Sequence, residues 1–202
     1  MERRMARPKK ADTEQAATVR IENAFWKLLE HERAEDITVR LISQESGTNR
    51  NSFYYHYSDI NDLAAKAFRK NMNIRVSQVL IGVLLNELSG EDTDDRLTFD
   101  PDYLIHSRRI MLCARSDSSY LRDLARDMLK QTWFDAFSIK EEMLSETERL
   151  EASFIFSGLV SVLGSKEVKD SPFKMYELAQ SDLGKTIIAE LKKISASQEL
   201  LE

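Results

Sequence analysis

The chain has 202 residues, of which 42% are hydrophobic and 31% charged, with a net charge of −5 and a single cysteine. This length and composition exclude a disordered chain and indicate a globular protein with one large core or two small ones. The lone cysteine excludes an internal disulfide, and no run of about 18 apolar residues is present to span a membrane. The first ten residues are too charged for a signal peptide, so we expect a cytoplasmic protein.

Charge differs between the two ends of the chain. Residues 1–70 carry 13 Lys/Arg and 11 Asp/Glu, a net +2, whereas residues 71–202 carry 16 and 23, a net −7. Five of the first ten residues are basic, and we predict a disordered basic arm over residues 1–13. The arm residues that could reach phosphates or a minor groove are Arg3, Arg4, Arg7, Lys9 and Lys10. A solvated terminus without any contact is the alternative interpretation.

Helical patterns with clear start and stop signals follow the arm. An apolar stripe predicts a helix over residues 14–32, formed by Ile21, Ala24, Phe25, Leu28 and Leu29. Thr38 is expected to cap the helix VRLISQES, which Gly47 would end in a left-handed turn. Asn49 is expected to cap a helix from Arg50 to about Tyr57, and Ser58 a further helix beginning at Asp59. Two short helices around a glycine turn, over residues 38–57, are the plan of a helix-turn-helix.

The rest of the chain also favours helix throughout. Apolar spacing continues beyond residue 72, stops at an acidic loop over residues 90–101, and resumes over 102–115 and 119–139. The segment 148–166 is apolar on nearly every side, which predicts burial all round. The last helix carries a stripe of Leu183, Ile187, Ile188, Leu191 and Ile194. We therefore predict an all-α fold of nine or ten helices, with a three-helix domain over residues 14–58 and a helical domain over residues 59–202.

The stretch FYYHY, residues 53–57, concentrates aromatic rings on one short helix. Phe53 and Tyr57 are four apart, so they lie on one face and are expected to pack against the preceding helices. Arg50, Asn51 and Tyr54 lie on the opposite face near the helix start, where a helix-turn-helix presents its base-reading side chains. Residues towards the rim of that face could hold phosphates through their hydroxyl and imidazole groups, namely Ser52, Tyr55 and His56.

The run TVRLISQESGTNRNSFYYHYSDINDL resembles the N-terminal DNA-binding domain of the TetR family of transcriptional regulators. The resemblance extends from Ile21 to Leu63. Its specific elements are the Thr38 cap, Ile42, Gly47, the aromatic-Tyr-x-His-aromatic pattern at 53–57 and Asp62-Leu63. It implies that Arg50, Asn51 and Tyr54 face bases. It also implies that Thr38 holds a phosphate together with Ser52, Tyr55 and His56.

Two positions depart from the family pattern. The family commonly has a small residue where this chain has Asn51, so that contact would be particular to this protein. The family usually has a lysine where this chain has Ile60, at the start of the fourth helix. Without that lysine, the helix dipole and the backbone N–H groups remain to hold a phosphate, and we expect a weaker backbone contact there.

The C-terminal body has two candidate sites. As the resemblance implies, an apolar effector pocket could be lined by Met111, Cys113, Trp133, Phe134, Phe137 and Phe154, although each of these residues could simply be core. A four-helix dimer interface could be formed by the last apolar helices, through Phe154, Gly158, Val162, Leu183, Ile187 and Leu191. The alternative is that both helices close the core of a monomer.

Catalytic and metal-binding patterns are missing from the sequence. It contains no Gly-rich phosphate loop and no GxSxG, and its three histidines, His31, His56 and His106, are far apart. We therefore predict no enzyme, no metal site and no cofactor. The leading hypothesis is a homodimeric repressor that binds a palindromic operator in double-stranded DNA and is released by a small-molecule effector. The alternative is a non-catalytic protein-interaction adaptor of the same fold without effector control, which Ile60 favours.

Overall fold

The computed structural model describes residues 10–70, 101–170 and 173–200, and the chain divides into two compact units, residues 1–69 and 70–202. The described residues form helices joined by turns and contain no strand, which confirms the all-α prediction for them. The arm residues 1–9, the helical pattern after residue 72 and the acidic loop over 90–101 lie outside the described residues. In the described part of the chain, no helix combines the length and hydrophobicity needed to cross a membrane.

The described part of the first unit contains four α-helices. They are α1 (Lys10–His31), α2 (Val39–Ser46), α3 (Arg50–His56) and α4 (Ile60–Lys70), with a single 3-10 turn at Ala34–Asp36. Their apolar faces meet in one core, whose largest fully buried side chains are Ile21, Phe25, Ile42, Phe53, Leu63 and Phe68. The Trp26 ring lies 5.1 Å from that of Phe25 and 5.9 Å from that of Phe68, so α1 also packs against α4 through aromatic contacts.

Helix α1 begins earlier than predicted. Residues 10–13, assigned to a disordered arm from their charge, belong to the helix, which starts at Lys10. Alanine, which has the highest helix propensity, recurs in this segment. Local helix propensity therefore extends the element into the charged segment.

The start of α4 also differs from the prediction. Asp59, rather than Ser58, caps the helix, since its carboxylate accepts a hydrogen bond of 2.8 Å from the backbone N–H of Asp62. In return the Asp62 carboxylate accepts from the backbone N–H of Ser58 at 3.0 Å, so the two carboxylates cap the helix reciprocally. Because α4 buries Leu63 and Phe68, the first compact unit extends past the boundary predicted at residue 58.

The second unit contains six described α-helices. They are α5 (Pro101–Ala114), α6 (Ser119–Ala136), α7 (Glu146–Leu163), α8 (Lys166–Asp170), α9 (Phe173–Gln180) and α10 (Asp182–Glu199), with a 3-10 turn at Glu141–Met143. One core cluster joins α6, α7, α10 and the loop after α6, through Phe134, Phe137, Ile139, Leu144, Ala152, Phe156, Ile188, Leu191 and Ile194. The Gln198 amide fastens the end of α10 to that loop, because it bonds both the N–H and the carbonyl of Lys140, at 2.8 and 3.1 Å.

The prediction that α7 is buried all round is wrong for the described single chain. Its inner face, with Ala152, Phe156 and Val160 at four-residue spacing, is buried. On the other side Phe154 is 82% exposed, and Leu150 is exposed as well. One helix face suffices to pack against the core, so the second apolar face of α7 is left on the surface of the single chain.

Candidate functional site

Local capping fixes the connection between α2 and α3. The Thr38 hydroxyl accepts from the backbone N–H of Leu41 at 3.2 Å and starts α2. Gly47 ends α2 with φ +63°, the left-handed conformation that glycine adopts without steric cost, and Asn49 then caps α3 by accepting from the N–H of Ser52 at 2.8 Å. The three predicted capping residues therefore act as the sequence indicated, and they set where α3 begins.

One face of α3 is buried in the first unit. Phe53 is fully buried and Tyr57 is 2% exposed, with their ring centroids 5.6 Å apart. Tyr57 is the residue that ends α3, and its hydroxyl donates a hydrogen bond of 3.0 Å to the carboxylate of Glu22, itself buried on α1. Burial, reinforced by the nearby Glu22 carboxylate, raises the pKa of Tyr57 well above its ordinary value. The tyrosine is therefore neutral and holds the end of α3 against α1.

Replacing Tyr57 by phenylalanine tests this attachment. The ring keeps its place, but the buried carboxylate of Glu22 loses this donor, and we expect the first unit to lose about 1–3 kcal/mol of unfolding free energy. Urea titration followed by fluorescence measures the loss in a Trp133→Phe background, where Trp26 of the first unit is the remaining tryptophan. The matched control is Tyr55→Phe, which removes a hydroxyl from an exposed ring. Equal stability of the two variants would contradict the role of the Tyr57–Glu22 bond.

The opposite face of α3 is open to solvent. Arg50 and Asn51 are exposed, Tyr54 is 59% exposed and Tyr55 70%. The ring of Tyr54 stands edge-on against that of Phe53 at 5.4 Å, so the buried phenylalanine supports the exposed tyrosine. A guanidinium, an amide and two phenol rings on one side of a helix can donate to, accept from and stack on the edges of nucleic-acid bases.

Polar groups at the rim of this face can serve phosphates. Thr38 is exposed, and because its oxygen accepts from Leu41, its hydroxyl hydrogen is free to be donated. Ser52 and His56 are partly buried, and the His56 ring lies edge-on to that of Tyr55, with centroids 4.9 Å apart. Of the residues predicted to hold phosphates, Thr38 and Tyr55 are thus exposed, whereas Ser52 and His56 are half-buried.

Lys66 on α4, which no sequence pattern singled out, is a further residue that contacts α3. Its ammonium donates to the carbonyl oxygen of His56 at 3.1 Å and to Asp62 at 2.9 Å, and lies 5.6 Å from the centre of the Tyr57 ring. The hydrogen bond from Lys66, with one from Ser58, lowers the pKa of Asp62. Lys66 therefore satisfies a carbonyl at the end of α3 and links that helix to α4. The only sequence signal for it is the four-residue spacing from Asp62.

Ile60, the departure from the family pattern, lies partly buried at the first position of α4. The Asp59 carboxylate accepts from the helix N-terminus there, at the backbone N–H of Asp62. A hydrophobic side chain and an acidic cap occupy the place where the family resemblance implies a cationic phosphate contact. Among the described residues, Lys66 brings a cation to the first turn of α4, where its ammonium pairs with the carboxylate of Asp62.

The predicted effector-pocket residues do not share one surface. Phe134 and Phe137 belong to the core of the second unit, where the Phe134 ring meets that of Phe156 at 5.8 Å and Trp133 stacks on Phe137 at 6.2 Å. Phe154, one turn before Gly158, is exposed on the far side of α7. Met111 is partly buried and Cys113 is fully buried. The ring contacts show that the aromatic members of this set pack against one another as core, apart from Phe154.

Cys113 is expected to resist thiol reagents in the folded protein. Burial raises the pKa of its thiol to about 12, so almost no thiolate forms at pH 8. Reaction with a disulfide reagent should be at least about a hundredfold slower in the native protein than in urea. Because this is the only cysteine, the absorbance of the released thiolate reports on it alone. Comparable rates in the two states would show that α5 opens readily.

The residues predicted for a dimer interface separate into two groups. Phe154, Gly158, Val162 and Leu183 are exposed, and Ile187 is partly buried. Leu191, in contrast, is fully buried in the core cluster and offers no surface to a second chain, because its side of α10 packs against α6 and α7. Leu150, Phe154 and Gly158 are exposed at four-residue spacing and form a stripe along α7, which we call the α7 stripe.

Neither metal ligands nor known relatives assign a role to these surfaces. Within the described ranges, no three His, Cys, Asp or Glu side chains come together as a metal site would require. No protein-family model matches the chain, and no curated protein matches it significantly. The geometry of α2, α3 and the α7 stripe is therefore the basis on which a function can be inferred.

Proposed function

We propose that this protein is a homodimeric DNA-binding transcriptional regulator of the TetR type, with α2 and α3 as its helix-turn-helix. The observation that carries the proposal is the division of α3 into two faces. Phe53 and Tyr57 fasten the helix to its unit, while Arg50, Asn51, Tyr54 and Tyr55 are exposed together. A single exposed residue would need no explanation, but four base-compatible side chains on one side of a capped, supported helix favour nucleic-acid recognition.

In this proposal α3 lies in the major groove, which is wide enough for a helix. Arg50 makes a two-pronged contact to guanine, Asn51 does the same to adenine, and Tyr54 contacts a thymine methyl group. Thr38, Ser52, Tyr55 and His56 hold the flanking phosphates and so fix the register of the helix. The arm residues Arg3, Arg4, Arg7, Lys9 and Lys10 add salt-dependent phosphate contacts.

A dimer follows from the length of the reading helix. With seven residues, α3 spans only a few base pairs, and useful specificity requires two copies about one helical turn of DNA apart. The α7 stripe supports a two-fold interface, because an exposed phenylalanine beside a glycine lets two copies of α7 approach closely. Repression is released when an effector bound to the second unit changes the separation of the two reading heads.

Selection from random-sequence DNA is the test of this proposal. The protein should enrich a palindromic sequence, and its affinity for that sequence should fall steeply between 50 and 200 mM salt, with a slope set by the number of phosphate contacts. The second candidate function, a protein-interaction adaptor, is favoured by Ile60 in place of a phosphate-binding lysine. It requires that no sequence be enriched and that residual binding be equal for all DNA fragments.

A further inference from the structure

A second polar site lies in the second unit, away from the aromatic core. The end of α5, the start of α6 and the end of α7 border an open cleft of about 410 Å³, lined by Arg115, Ser116, Arg122, Arg126, Ser157 and Ser161. At one side of the cleft, Gly164 at the end of α7 lies against the end of α5. A Cβ at Gly164 would lie only 2.5 Å from the carbonyl oxygen of Ala114, so glycine is needed for this approach.

The cleft concentrates positive charge on an acidic part of the chain. Three arginines line it against one aspartate, Asp123, whereas residues 71–202 as a whole carry a net −7. Arg126 is paired with Asp123 at 2.8 Å and with Asp127 at 3.3 Å. The other two arginines, Arg115 and Arg122, form no ion pair with another described residue.

Those two arginines retain donors for a ligand. Arg122 uses one guanidinium nitrogen to donate to the carbonyl oxygen of Ser116 at 2.6 Å, which fixes its position and leaves further N–H groups. Arg115 is exposed, and its backbone N–H donates to the carbonyl oxygen of Met111. Its guanidinium makes no hydrogen bond in the part of the chain that the structure describes. A guanidinium held in place beside a free one resembles a two-pronged clamp for an oxyanion.

We propose that this cleft binds a small organic oxyanion, a phosphate monoester or a polycarboxylate whose remainder is hydroxylated. Arg115 and Arg122 hold the anionic group, because a guanidinium matches phosphate and carboxylate oxygens in geometry as well as charge. The volume exceeds that of one phosphate and lies within the range of metabolite sites. Ser157 and Ser161 offer hydroxyls to the remainder of the ligand. This site is distinct from the aromatic effector pocket predicted from the sequence, and it does not depend on DNA binding.

Calorimetric titration of the full chain tests the site, with glycerol 3-phosphate in one series and citrate in the other at constant ionic strength. We expect saturable binding of at least one of the two anions, with one anion per chain. The anion that binds more tightly shows whether the cleft prefers a phosphate or a carboxylate ligand. Arg115→Gln and Arg122→Gln should each weaken binding about tenfold, since each removes a charge-assisted contact. Arg115→Lys, which keeps the charge but loses the planar fork, should fall between the wild type and Arg115→Gln.

The matched control is Arg149→Gln, which removes the same charge from an exposed position on α7 before the cleft. It should bind as the wild type does. The proposal is overturned if neither anion binds saturably, if both cleft variants retain wild-type affinity, or if Arg149→Gln weakens binding as much as they do. The last result would indicate a general field of surface charge. No DNA is present in the titration, so a failure of the DNA-binding proposal leaves these outcomes unaffected.

Discussion

Alanine at Arg50 or Tyr54 is expected to weaken binding to the selected DNA sequence by about 1–3 kcal/mol each, which is roughly 5- to 160-fold in Kd. Both side chains are exposed on α3, so truncation removes a contact without opening a cavity in the first unit. Gel-shift or fluorescence titration at one fixed salt concentration measures the loss. Discrimination against sequences altered at the contacted base should fall in parallel, because the proposed contacts of both side chains are made to bases.

Arg33→Ala is the matched control for Arg50. Arg33 is an exposed arginine of the same unit that lies just before the 3-10 turn, outside α2 and α3. Its guanidinium pairs with the carboxylate of Glu35. Its loss should leave sequence preference intact and change affinity only slightly. If Arg50→Ala and Tyr54→Ala both keep the sequence preference of the wild type, α3 is not the helix that recognises the bases. This holds even if the protein binds DNA.

The features that were correctly predicted are those that neighbouring residues determine. Thr38, Gly47 and Asn49 cap or end helices through bonds within three or four residues, so their roles are written in the local sequence. The two faces of FYYHY follow from the 3.6-residue period in the same way, which is why Phe53 and Tyr57 are buried and Tyr54 and Tyr55 are exposed.

The features that could not be predicted depend on partners far along the chain or on competition between similar residues. The Glu22 carboxylate, which accepts the hydrogen bond from the Tyr57 hydroxyl, is 35 residues from Tyr57 in the sequence. No local pattern links the two residues. Ser58 and Asp59 are both good caps, and Asp59 prevails because Asp62 completes a reciprocal pair. Leu191 belongs to an apolar stripe whose members are equivalent in sequence, and only packing against α6 and α7 decides that it is core.

Replacing Phe154 by aspartate is expected to convert a dimer into a monomer. The side chain is 82% exposed in the single chain, so the change costs little within one copy. In a two-fold interface each substitution acts twice. Burying a phenylalanine is worth about 1.5–3 kcal/mol, and a buried carboxylate adds a desolvation cost on each side. The dissociation constant of the dimer should therefore rise at least about a hundredfold.

Sedimentation velocity at micromolar concentration distinguishes a chain of 23.3 kDa from a species of twice that mass. The matched control is Leu200→Asp, which adds the same charge at an 88% exposed leucine that caps α10 and lies outside the α7 stripe. If Leu200→Asp is dimeric and Phe154→Asp is monomeric, the interface is assigned to α7. The two variants should also have equal thermal unfolding temperatures when both are diluted to monomers, which shows that Phe154→Asp does not destabilise the single chain. A dimer that survives Phe154→Asp, or a monomeric wild type, would contradict that assignment. Because two reading helices are needed for one operator, monomeric Phe154→Asp should also lose affinity for the palindrome while its α3 stays intact.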